Sequence, residues 1–274
     1  MLMLRDRAQW VESRHIWWPT SLEDVSPHLS QASLITVMQC SDWIADLLSP
    51  YTFRRRPFHT ALIHLAKSAE DLWSQLDSKS CRYEINRAKR VGCEVVVNSR
   101  MEQAFHLVNE SIKAHRHRSV VSADEWRRTL QVCDVFGVTH DDAMIAAHVV
   151  MVDRPRRARL LFSATVDRSR HPHRDTVAPL NRYLHWFEFM YYKAQGIDCY
   201  DFGGIELNKA LPIYSISRFK LSFGGDVVRE NVVRLTGKTG LRIALRGAVR
   251  ARHFAKTVRA SVTGGRSTGV SAPV

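Results

Sequence analysis

The order of apolar runs between residues 143 and 204 constrains this chain more than any other feature. Ala143–Val152 and Ala158–Ala164 are both apolar and of strand length. Asp153-Arg-Pro-Arg-Arg157 lies between them, polar and interrupted by proline, so the two runs read as an antiparallel hairpin. A polar loop, Thr165–Thr176, leads to a helix over Pro179–Gln195 that Gly196 closes. Ile197–Phe202 is a further strand, ending at the turn Gly203-Gly204. A hairpin, a helix and a strand in that order describe a mixed α/β sheet with helices packed on it.

The flanking segments fit the same architecture. Leu34–Met38 and Thr60–Ala66 read as strands, and Ser41–Leu48 as one or two helical turns. A helix starts at Ser68, with Asp71 as a partial capping partner. Its apolar positions, Leu72 to Ala88, run across two pieces joined near Ser78-Lys-Ser80 and end at Gly92. Cys93–Val97 is then a strand, Met101–Ala114 a helix, Glu125–Phe136 a second helix ended by Gly137, and Val227–Leu235 the last strand. Residues 1–33 hold Trp10, Trp17 and Trp18 among prolines and serines and yield no clear element.

Charge narrows the partners. The formal net charge of +13 favours nucleic acid, a phosphorylated substrate or an anionic membrane face. No acidic residue follows Asn231, and Gly240–Ala260 is a basic segment of helical character. It fits a peripheral membrane contact, a phosphate backbone, or a docked helix with a cationic outer face. Residues 261–274, rich in Gly, Ser and Thr, are expected to be disordered. The five cysteines are scattered, without a Cys-x-x-Cys pair, which fits a reducing compartment. Arg5-Asp-Arg7 stands where a signal peptide needs apolar residues, and no run has the length of a membrane span. A cytoplasmic protein is expected, with contact at the inner face of the membrane as an option.

The chemistry-bearing stretch is Tyr200-Asp-Phe-Gly-Gly-Ile205 followed by Ser217-Arg-Phe-Lys-Leu-Ser-Phe-Gly-Gly225. Glycine pairs let the backbone enter conformations closed to other residues and let a ligand come close. Lys220 stands between Phe219 and Phe223, which pack inward and fix it; facing a cleft, it can meet a developing negative charge. The alternative is a pair of tight turns with Lys220 in solvent. On the Pro179–Gln195 helix, His185 and Glu188 form an i, i+3 pair that either orients a general base or is an ordinary surface pair. His115-x-His117 and His171-x-His173 lack further ligands at a familiar spacing, so no metal is expected. Gly-x-Ser-x-Gly, the P-loop and Gly-x-Gly-x-x-Gly are absent.

Arg82-Tyr-Glu-Ile-Asn-Arg-Ala-Lys-Arg-Val-Gly92, Tyr200-Asp-Phe-Gly-Gly204 and Phe219-Lys-Leu-Ser-Phe-Gly224 come in an order and at a separation that resemble the Fem-type transferases, a branch of the fold of GCN5-related N-acetyltransferases. The resemblance runs from about Tyr51 to Gly225. It implies a GNAT-like α/β fold, with a mixed, mostly antiparallel central sheet flanked by helices. Residues 1–50 would be the remnant of a first half, 51–236 the transferase domain, 237–260 a basic helix and 261–274 a tail. It further implies transfer of an aminoacyl group from aminoacyl-tRNA to an amine of a peptide, small molecule or peptidoglycan precursor, with no cofactor required. Lys220 would stabilise the oxyanion. Asp201, Glu206 and His185 are the candidate proton acceptors, and Arg82, Arg87, Tyr200, Gly203, Gly204, Glu206 and Phe219 the substrate contacts. Acetyl-CoA enzymes of this fold carry a glycine-rich loop before the helix after the hairpin. The corresponding stretch here, Arg168–Pro179, has no glycine, which favours a tRNA-borne donor over acyl-CoA. Arg168, Arg170 and Arg174 can still hold donor phosphates through their side chains. A non-catalytic nucleic-acid-binding protein is the other class of reading.

Overall fold

The computed structural model describes residues 2–8, 11–115, 119–169 and 174–264. The elements in chain order are β1 (Leu2–Ala8), β2 (Val11–Trp17), α1 (Ser26–Leu29), β3 (Leu34–Cys40), α2 (Asp42–Leu47), β4 (Thr52–His64), α3 (Ala69–Gln75), α4 (Tyr83–Val91), β5 (Glu94–Val97), α5 (Met101–His115), α6 (Ala123–Leu130), β6 (Cys133–His140), β7 (Ala143–Asp153), β8 (Arg157–Thr165), α7 (Arg174–Ala194), β9 (Cys199–Ile205), α8 (Tyr214–Leu221), β10 (Asp226–Leu235) and α9 (Thr239–Gly264). They form two compact units, Met1–Phe58 with Arg229–Val274, and His59–Val228.

In the first unit β1 is antiparallel to β2, β2 parallel to β3, and β3 antiparallel to β10. Ile16, Val25, Ile35, Val37, Ile44, Leu48, Val233 and Leu235 make its core. Residues 1–33, without assignable structure in the sequence, thus supply two strands and a helical turn. Arg14 obscured the pattern: it is buried in β2, where apolar alternation would call for a hydrophobic residue. Its guanidinium donates to Glu12 Oε1 at 3.0 Å and Gln31 Oε1 at 2.7 Å, which makes the burial tolerable.

The second unit has a mixed sheet. The end of β4 is antiparallel to β9, β9 is parallel to β8, and β8, β7, β6 and β5 follow in antiparallel order. The hairpin read from the sequence is β7–β8. Met144–Met151 are buried without a break, so β7 is covered on both faces, with α5 and α7 both packing against it and β8. The helix expected over Glu125–Phe136 is corrected to α6, capped by Ser122, followed by β6. β-Branched and aromatic residues from Val132 onward favour a strand. Gly137 lies inside it rather than at a helix end: a Cβ there would meet Met144 Cε at 2.7 Å. The two helical pieces expected after Ser68 are α3 and α4, joined by a wide π turn over Ser78–Arg82.

Among the described residues, the parallel β8–β9 register covers Arg157–Arg159 against Cys199–Asp201, although β8 continues to Thr165 and β9 to Ile205. The strands therefore pair at their first residues and part beyond them. That opening positions the site.

Candidate active site

The expected glycine turn is corrected to a bulge. β9 runs through both glycines to Ile205, and its register against β4 shifts between Thr60 and Leu62. Gly203 takes φ +72°, which an L side chain rarely adopts, and a Cβ there would lie 3.2 Å from Arg159 Nη2. Asp201, fully buried, pins the bulge. It accepts hydrogen bonds from Gly203 N at 2.7 Å, from the Thr60 hydroxyl, and from Arg157 Nη2 at 2.7 Å, with Arg159 Nε 3.7 Å away.

The bulge presents the Gly204 carbonyl, which accepts from Lys220 Nζ at 2.8 Å. Lys220 belongs to α8, where the sequence indicated only a loop and a fixed lysine. α8 is short and has no side-chain N-cap, so it carries no start signal. Burial and the nearby Arg159 push the Lys220 ammonium down to about 8, against the pull of Asp201. Lys220 therefore stands half-buried in a cavity wall, not in open solvent.

That cavity, about 470 Å³, lies where β8 and β9 part. Leu160, Ser163 and Thr165 from β8, Phe202 from β9, Asn181 and His185 from α7, and α8 line it, with Ser111 and Ile112 from α5. It is apolar with a few convergent polar groups, the make-up expected of a small-molecule site.

Behind its wall is a buried polar network. His185 and Glu188 are fully covered, so the surface-pair reading is corrected: α7 turns this face into the core. Glu188 Oε1 lies 2.6 Å from His148 Nδ1, and Glu188 Oε2 accepts from the Tyr200 hydroxyl at 2.6 Å. His148 Nε2 faces Asn181 Oδ1 at 2.9 Å, and the two imidazoles stack at 4.1 Å. Burial and the neighbouring His148 push His185 down to about 4, against the pull of Glu188. Burial raises the Glu188 carboxyl, but His148 and the hydrogen bonds outweigh it and hold the group at about 2. His185 Nδ1 is 3.4 Å from Glu188 Oε2, and its Nε2 has no protein partner. With Nδ1–H toward the carboxylate, Nε2 is left as a bare acceptor.

His148, His185 and Glu188 also form a possible ligand set, with their nearest donor atoms within 4.8 Å of one another. The 2.6 Å between His148 Nδ1 and Glu188 Oε1 is a hydrogen bond, shorter than the separation of two ligands around one zinc ion.

Lys220, His185 and Phe219 thus share one cavity, and Asp201, Gly203 and Gly204 support it from β9. Tyr200 belongs to the buried network. Glu206 does not line the cavity; its carboxylate accepts from Asn208 N at 2.8 Å. Arg82 is half-buried with Nε unpartnered, and Arg87 lies 3.9 Å from Glu84. Arg168 folds onto the start of α7, donating to Arg174 O at 3.3 Å, and neither arginine lines the cavity. Arg170, His117, His171 and His173 lie outside the described residues. His148 carries one sequence signal, that of a lone polar residue in the apolar run Ala143–Val152. Thr60, Arg157 and Arg159 had no local signal, because they meet Asp201 only through strand pairing.

Comparison with solved structures places this architecture. FemX superposes with a TM-score of 0.63 at 12% identity, over 84% of this chain and 83% of FemX. L-PGS from Bacillus licheniformis superposes at 0.56 and 14% identity, over 90% of this chain and 85% of that one. The chain has the fold that FemX and L-PGS share. The Fem-type fold also superposes on a C-terminal domain from Agrobacterium fabrum described as that of a lysylphosphatidylglycerol synthetase. That match scores 0.54 at 13% identity, over 86% of this chain and 82% of that one. No family model and no curated relative matches the sequence.

Proposed function

We propose that this protein is an N-acyltransferase that moves an aminoacyl group from aminoacyl-tRNA to an amine, with Lys220 stabilising the oxyanion. One observation carries the reading: a half-buried ammonium, oriented by the Gly204 carbonyl, in the wall of a cavity whose other polar groups include His185. The amine attacks the ester carbonyl. A C–N bond forms, the carbonyl oxygen gains charge beside Lys220, and the C–O bond to the donor then breaks. The proton lost by the amine ends on the departing oxygen. His185 Nε2, neutral at physiological pH but covered by neighbouring side chains, receives it on the way or orients the N–H once the bound substrate moves those side chains aside. Asp201 acts as a positioning residue, because its oxygens are engaged by Thr60, Arg157 and the Gly203 N–H.

The donor assignment rests on sequence: Arg168–Pro179 offers no glycine cradle for a pyrophosphate, and the chain is strongly basic. The acceptor is an amine of a peptide, small molecule or cell-wall precursor. α9, without an acidic residue and with Leu241 and Ile243 exposed, favours peripheral contact with an anionic membrane face.

The test is transfer from a pool of charged tRNAs and from acyl-CoAs to lysate amines, read by mass spectrometry, with wild type and Lys220→Met. Products from charged tRNA that vanish in the variant, with its circular dichroism unchanged, are expected. Products from acyl-CoA alone would reassign the donor. Tight tRNA binding without transfer would leave a nucleic-acid-binding protein.

A further inference from the structure

We propose that the cleft across α8 from Lys220 is a phosphate-binding subsite built on Arg182 and Arg218. This cleft measures about 740 Å³. Tyr214, Arg218 and Leu221 face it at i, i+4 and i+7, whereas Ile216 and Lys220 face the smaller cavity; Ser215 and Phe219 border both. One short helix therefore separates the two spaces.

Arg182 is the deciding residue. It is half-buried on α7 with its guanidinium 4.5 Å from the Phe219 ring centre. Its one side-chain hydrogen bond is long, 3.4 Å from Nη1 to Ser222 Oγ, and its buried Nε has no partner. Among the described residues no carboxylate lies within ion-pair distance of Arg182 or Arg218. The acid in the cleft, Asp77, has Oδ1 committed to Ser80 N at 2.8 Å and Ser80 Oγ at 2.7 Å. It and Glu84 act on the Arg182 charge only from beyond ion-pair distance, without outweighing the cost of its burial. A guanidinium keeps its charge at any physiological pH, and burying it unpaired is costly. An oxyanion supplies what is missing. Phosphate fits best: it has enough oxygens for both forked guanidinium donors, whereas the Ser222 hydroxyl is already given to Phe219 O at 2.6 Å.

The subsite stands on this geometry alone; its link to catalysis rests on the transfer reading. There, a phosphate held one helix away anchors a substrate whose reacting end reaches Lys220. The phosphate belongs either to the nucleotide part of the donor or to a phosphorylated acceptor.

The experiment is calorimetric titration of the full chain with pyrophosphate at 0.15 M salt, which needs no transfer activity. Pyrophosphate is expected to bind wild type and Lys220→Met alike, and to bind Arg182→Gln and Arg218→Gln about tenfold or more weakly each. Arg218 is exposed, so its variant keeps the test valid should Arg182→Gln misfold. Absence of binding, or equal binding to wild type and Arg218→Gln, overturns the proposal, as does acetate binding as tightly as pyrophosphate. Displacement by uncharged tRNA or by coenzyme A identifies the donor as the source. Displacement by neither assigns the phosphate to the acceptor.

Discussion

At the scale of single residues, Lys220 must do two things that conflict. Burial strengthens its field at the cavity, but it also brings the ammonium down to about 8, within reach of ordinary pH. Stabilisation of an oxyanion requires the charged form, which is lost as pH rises through that value. Once spontaneous hydrolysis of the donor is subtracted, kcat/KM is expected to fall about tenfold per unit above pH 8. Lys220→Arg, charged throughout, should lose that alkaline limb whatever its absolute rate. A wild-type profile flat to pH 9.5 would remove the ammonium from the mechanism. His185 calls for a different comparison. His185→Phe deletes the Nε2 acceptor and is expected to lower kcat by about a hundredfold or more. If His185→Gln restores most of the rate, the imidazole orients the amine; if it does not, the ring takes the proton. Sequence spacing brought Lys220, His185 and Glu188 to attention because each lies near a local pattern. It could not show what faced them. The partner of Glu188 is His148, forty positions away on a different element, and only the fold brings the two to hydrogen-bond distance.

At the scale of elements, the two glycine pairs do different work. Gly203 sits in the β9 bulge that aims a carbonyl at Lys220. Gly224, at φ +78°, ends the turn after α8, where a Cβ would meet the Gln75 carbonyl oxygen at 2.4 Å. Gly225 approaches Ile63 and Leu62 in the same way, with its nearest contact at 2.9 Å. The second pair is thus explained by backbone packing against α3 and β4 rather than by an approaching ligand. Gly92 supplies a control, since it has φ +75° but nothing within 4 Å. Gly92→Ala meets only the dihedral penalty, about 1 kcal/mol. Gly224→Ala adds a clash with main chain that no side-chain rotation relieves, and should cost about 3 kcal/mol or more in urea unfolding. Equal losses in the two variants would mean that the turn repacks freely. Elements with strong local signals, such as the β7–β8 hairpin and α7, were legible in the sequence. α8 and β6 were not: one lacks a cap, and the other carries a glycine that suits a strand only because Met144 packs over it.

At the scale of the whole molecule, the buried His148–Glu188–Tyr200–His185 network ties folding to pH. His185 is held at about 4 in the folded state against an ordinary 6.5, so between those values the unfolded chain binds more protons. Stability from this group is intact above pH 6.5 and is lost as pH falls toward 4, by about 3 kcal/mol if the whole window is traversed. Glu188, held at about 2 against an ordinary 4.5, acts in the same direction in a lower window, from 4.5 down to about 2. The wild-type urea midpoint is therefore expected to decline in two stages, one beginning near pH 6.5 and one below 4.5. His185→Phe removes the first stage and leaves a shallower second one, because the ring that resists protonation is gone while Glu188 loses its hydrogen bond to His185 but keeps His148 and Tyr200 as partners. A variant whose midpoint still declines from pH 6.5 with the wild-type slope would place the acid sensitivity elsewhere, with the twelve other histidines as the first place to look. The same result would mean that the fold does not hold His185 below its ordinary 6.5, so that the imidazole would gain its charge, and cease to accept a proton, as the pH of a transfer assay falls through that value. The stability measurement and the transfer mechanism are thus tied to one proton.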